Sequence, residues 1–119
     1  MKLRIKGDSL RLRLTQGDVA SLLQNGNLVE QMSLVDGSFR YQLRSSTSAE
    51  KITAALRESM LSVSIPDQQM RSWADSTEVS LADQDGPVKI LVEKDFACLK
   101  PRDGEDDADA YPHPDAADG

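Results

Sequence analysis

Residues 12–28, L-R-L-T-Q-G-D-V-A-S-L-L-Q-N-G-N-L, compress the end of a strand, a capped helix and the start of a second strand into one stretch. Fifty-one positions later, without a gap, residues 63–79 read V-S-I-P-D-Q-Q-M-R-S-W-A-D-S-T-E-V. Leu12, Leu14, Val19, Leu22, Leu23 and Leu28 fall on Val63, Ile65, Met70, Trp73, Ala74 and Val79, so one apolar frame occurs twice. Only Leu10/Leu61 and Ser21/Ser72 are identical between the copies, which leaves a duplication and a generic βαβ pattern both open.

Outward from that frame, residues 2–6 alternate Leu3 and Ile5 with Lys2, Arg4 and Lys6, the period of a half-buried strand. Gly7-Asp8 signals a turn, and residues 9–14 resume the alternation with Arg11 and Arg13 on the polar face, which predicts a basic hairpin. Thr15 and Asp18 have the spacing of a capping box, and Asn25-Gly26 closes the helix they begin. Residues 28–34 and 38–44 predict a hairpin turned at Asp36-Gly37, followed by a polar linker over residues 45–50.

In the second copy residues 52–57 fit strand or helix, and residues 60–65 alternate as a strand. Pro66 fits a first helical position, Met70, Trp73 and Ala74 face inward, and residues 78–81 begin a further strand. Asp85-Gly86-Pro87 turns the chain into residues 88–93, the most apolar strand and the best candidate for a central one. The expected fold is α+β: a mostly antiparallel sheet or small barrel of two ββαββ units, residues 2–45 and 50–95, with two short helices. Residues 1–102 form the expected domain and residues 103–119 an acidic, flexible tail. A pocket, if present, is expected between the halves.

Composition narrows the class further. The chain has 119 residues, 39% of them hydrophobic but only five aromatic, so its core is built of Leu, Val, Ile and Met. Net charge is −6, yet Lys2, Arg4, Lys6, Arg11 and Arg13 crowd the first fourteen residues, while the chain beyond Arg102 holds seven acids and no base. A single cysteine excludes an internal disulfide and suits a reducing compartment. Without a signal-peptide core or an apolar run of roughly 18 residues, the expectation is a cytoplasmic protein with no membrane partner.

The opening K-L-R-I-K-G-D-S-L-R-L-R-L-T and the later E-K-D-F-A-C-L-K-P-R with its acidic run resemble a family of small bacterial proteins of unknown function. That family carries R-I-K-G-x-S-x-R-x-R-L-T near its N-terminus and E-K-D-F-x-C-L-x-P-R near its C-terminus. The resemblance covers both ends well and the middle loosely; Asp8 stands where Asn is the more usual residue. It implies a fold and a bacterial origin, and no catalytic roles.

Three site readings follow from the residues. Cys98, Asp107 and His113 are suitable metal ligand types, but their spacing matches no zinc signature, and Cys98 beside Phe96 and Leu99 reads better as a small core residue. A redox or metal sensor through Cys98 and His113 is correspondingly weak. Lys2, Arg4, Lys6, Arg11 and Arg13 share one face and form a candidate anion- or partner-binding site. A solvated face balanced by Glu30, Glu93 or the tail is the plainer reading. With no stacking aromatics and a pI near 4.7, nucleic acid is disfavoured.

The leading functional expectation is a non-enzymatic interaction module, needing no cofactor, whose basic hairpin meets its own acidic tail or an acidic protein. The alternative is an enzyme or binding protein for a phosphorylated small molecule or polyphosphate, with Glu93, Asp95 or Asp107 holding a divalent metal. An unpaired sheet edge also leaves a homodimer open.

Overall fold

The computed structural model describes residues 1–95. Eight strands and two helices follow one another as β1 (Lys2–Lys6), β2 (Ser9–Leu14), α1 (Gln16–Asn25), β3 (Asn27–Leu34), β4 (Gly37–Ser46), β5 (Thr53–Arg57), β6 (Met60–Pro66), α2 (Asp67–Ala74), β7 (Ser80–Asp85) and β8 (Val88–Lys94). They build two four-stranded sheets, β1-β2-β8-β7 and β3-β4-β6-β5, rather than a closed barrel. Each sheet is two antiparallel hairpins joined by one parallel pair, β2 with β8 and β4 with β6. The mostly antiparallel expectation therefore holds, with four antiparallel pairs to two parallel ones, and the parallel pairs lie at the sheet centres.

Local chemistry explains most boundaries. Thr15 accepts from the Asp18 N–H at 3.1 Å while the Asp18 carboxylate accepts from the Thr15 N–H at 3.0 Å, so the capping box forms with the shorter acid. Gly26 at φ 79 supplies the left-handed residue that ends α1, and its N–H bonds the Leu22 carbonyl. Pro66 corrects the expectation: it closes β6 and precedes α2 as an extended cap residue, with Asp67 as the first helical position. Asp67 is held below the usual carboxylate range by the Ser45 hydroxyl and the Arg71 guanidinium, both of which donate to it.

Strand β4 runs on to Ser46 and shortens the linker, and residues 53–57 resolve as strand. One turn differs from expectation and a second carries no glycine signal. The β3–β4 register pairs Leu34 with Gly37, so the turn is Val35-Asp36, one residue early. Glu58 and Ser59, both at positive φ, make the β5–β6 turn without a glycine.

The apolar frame becomes the core. Leu12, Leu14, Leu22, Val63, Ile65, Met70 and Trp73 are buried together with Leu10, Leu43, Ile52, Leu81, Ile90 and Val92. The frame breaks at Leu23 and at Val79, which are 36% and 47% exposed; after Val79 the next inward residue is Leu81, two positions on. The sheets meet along a seam between β7 and β5. Asp83 and Asp85 accept hydrogen bonds from the Ile52 and Ala54 N–H groups, each at 3.1 Å, and so satisfy the free edge of β5. Backbone N–H donors of Gln84 and Ile52 hold Asp83 below its ordinary value.

Candidate anion-binding face

Strand alternation fixes which side chains share the outer face of the first sheet. The registers set Lys2, Arg13, Glu93 and Ser80 in one row, Arg4, Arg11, Leu91 and Ala82 in the next, and Lys6, Ser9, Lys89 and Gln84 in a third. All five sequence-predicted cations thus stand on one face, and the parallel β2–β8 pairing adds Lys89 to them. Lys89 was invisible as a site residue because nothing in the sequence announces that β8 lies beside β2.

Two carboxylates enter the same face. Glu93 Oε1 accepts from Arg13 Nε at 2.7 Å and lies 3.6 Å from Arg11 Nε; Asp95 lies 3.2 Å from Lys2 Nζ. Six cations against two acids leave the face positive, and Arg4, Lys6 and Lys89 have no ion-pair partner among the described residues. The face is an open sheet surface with a shallow hollow of about 310 Å³ at its Ser9–Lys89–Gln84 end, and Leu91 and Ala82 give it a small apolar centre without an aromatic. Glu93, one of the expected balancing acids, serves as one.

Glu30 does not. It lies 2.7 Å from the Met1 amino group, which is also 2.8 Å from Asp18, and the Tyr41 hydroxyl donates to the Met1 carbonyl at 3.4 Å. Burial works against the ammonium charge, but the hydrogen bonds and charges of Asp18 and Glu30 outweigh it and hold the amine above its ordinary value. Asp18 feels burial in the opposite sense, and its bonds to the amine and to Thr15 bring it below the carboxylate range. Burial and the two acids also push Tyr41 up.

The signs give a pH profile. A raised amine and a raised phenol stabilise fully below their unfolded values and lose that contribution as pH rises through the folded ones. A lowered Asp18 contributes above about pH 4 and loses it as pH falls. Thermal stability should plateau between about pH 4 and 8 and decline on both sides. Glu30→Gln should flatten the alkaline decline between about pH 8 and 11; an unchanged alkaline limb would remove the clamp from the account.

A cleft of about 630 Å³ opens at the other end of β8, walled by Leu14, Thr15, Val19, Ala74, Thr77 and Asp95. Cys98, Asp107 and His113 lie outside the described residues, as does the stretch from 103 to 119. Among the described residues no three His, Cys, Asp or Glu side chains gather to hold a metal, and no helix is long and apolar enough to cross a membrane.

No curated protein and no solved structure matches the chain. One family does, over residues 1–115, and it begins with the strands that carry the basic face: the chain belongs to the family of unknown function DUF7009.

Proposed function

We propose that the protein is an interaction module that presents the outer face of its first sheet to an acidic polypeptide, its own residues 103–119 or a partner of like charge. The observation that carries this reading is the row arrangement that sets Arg4, Lys6 and Lys89 together on an open surface with no partner among the described residues. An open face supports a flexible acidic chain; a phosphorylated small molecule with a divalent cation calls for cations and carboxylates around a shared cavity. Glu93 tunes the face by holding Arg11 and Arg13.

The strand order also supports two copies of a ββαββ unit. Replacing β1–β4 by β5–β8, and the reverse, converts the order β1-β2-β8-β7 into β5-β6-β4-β3, the other sheet. On that reading the two copies differ in charge along this face: Lys2, Arg4, Arg11 and Arg13 fall on Thr53, Ala55, Ser62 and Ser64, while Lys6 falls on Arg57.

The test is a titration of a synthetic peptide of residues 103–119, and separately of polyglutamate, into a chain ending at Arg102, followed by amide NMR. Shifts should map to Lys2, Arg4, Arg11 and Lys89. Replacing Arg4, Lys6 and Lys89 together by Gln should weaken binding roughly tenfold at low salt, at about 0.5 kcal/mol for each exposed cation, and Glu93→Gln should strengthen it. Undiminished binding by the triple variant would end the proposal.

A further inference from the structure

We infer that the cleft beside β8 is a docking site for the chain's own Phe96-Ala97-Cys98-Leu99. Three observations commit the cleft to that occupant. Asp95 is the last described residue and is itself part of the wall. Its N–H donates to the Leu14 carbonyl at 2.8 Å, and the Lys94 N–H donates to the Val79 carbonyl at 2.9 Å, so the backbone is held in extended pairing until it reaches the cleft. Beyond Leu14 the neighbouring strand turns away into α1, and β8 loses its partner on that side.

The next residue is therefore delivered to the mouth, since consecutive Cα atoms lie about 3.8 Å apart. What it meets is apolar: Leu14 at the end of β2, Val19 in the second turn of α1, and Ala74 at the end of α2. Thr15, Ser76 and Thr77 rim that floor with groups able to pair with a crossing backbone.

The volume lies in the range that holds a small apolar ligand, which is also room for a few side chains. Four residues extend to about 14 Å at most, so Phe96 and Leu99 can both reach it. A tethered segment competes at an effective concentration in the millimolar range, ahead of any free ligand of similar apolar area. The Lys94 ammonium, 5.4 Å from the centre of the Trp73 ring and 2.7 Å from the Ser76 carbonyl, fixes the side of the cleft nearest α2.

The inference does not depend on the basic-face proposal, because apolar contacts hold the segment and the acidic run begins only after Arg102. Two measurements on the unmodified full-length chain test it. Nuclear Overhauser contacts from the Phe96 ring should reach the Val19 and Leu14 methyls and Ala74. In a sample mixing differently labelled molecules those contacts should stay within one molecule. Cys98 should react with a disulfide reagent at least tenfold more slowly in the folded chain than in urea, and Phe96→Ala should restore fast reaction while the core amide spectrum stays native. Contacts between molecules, contacts to another surface, or a Cys98 that reacts at the unfolded rate in the folded chain would each overturn it. Retained acidic-peptide binding in the Phe96→Ala chain would separate this failure from that of the basic face.

Discussion

Trp73→Ala is expected to lower the unfolding free energy by about 3–5 kcal/mol, the range for deleting a fully buried large aromatic side chain. Trp73 is 0% exposed and is the largest side chain in the core. Its ring Nε1 donates to the Val79 carbonyl at 3.1 Å, which pins the loop between α2 and β7 against the helix. Helix α2 has only eight residues, too few to stand without tertiary contact. The substitution thus removes both the packing that holds α2 and the tie that sets the start of β7. Since domains of this size have about 5–15 kcal/mol in all, the variant should unfold at much lower urea with an unchanged slope, followed by circular dichroism because the only tryptophan is gone. Trp73→Phe keeps most of the ring and removes the Nε1 bond, while the Val79 carbonyl keeps its bond from the Lys94 N–H, so about 1 kcal/mol should be lost. A Trp73→Ala loss below about 1 kcal/mol would mean that the core does not close around this residue.

Leu43→Ala should cost about 2–5 kcal/mol. Leu43 is 0% exposed at the middle of β4, an interior strand of its sheet. It stands opposite Leu28 on one side and Val63 on the other, so both hairpins of that sheet lose a shared contact. The neighbouring Arg44 has the opposite pleat and is exposed; Arg44→Ala should stay within about 0.5 kcal/mol. Chemical denaturation of the pair measures the alternation directly, and equal losses would place the strand in another register.

Local signals were the legible part of this fold. Period-two alternation gave β1, β2 and β6, the Thr15–Asp18 box gave the start of α1, and Gly26 its end, because each depends on residues within a few positions of one another. The basic face was legible for the same reason: alternate residues of one hairpin must share a side. The turn at Glu58-Ser59 was not, since neither residue is the glycine or asparagine that a positive φ favours. The parallel pairs were invisible too. Arg13 and Glu93 meet eighty residues apart, and no neighbour of either records the meeting. Val79 misled because an ungapped repeat assigned it inward, whereas the structure passes that role to Leu81.

The β2–β8 pairing has a consequence for synthesis. A chain emerging from the ribosome N-terminus first can form the β1–β2 hairpin early, but the strand that completes that sheet is not made until residue 94. The other sheet draws its four strands from residues 27–66 and can assemble long before. Folding is therefore ordered in time: the middle of the sequence closes first, while Leu10, Leu12 and Leu14 wait without their cover. An isolated hairpin is marginal in water, and distant pairings are slow to form. The charged outer side of that hairpin then has a second value, keeping the waiting segment soluble until its last partner arrives.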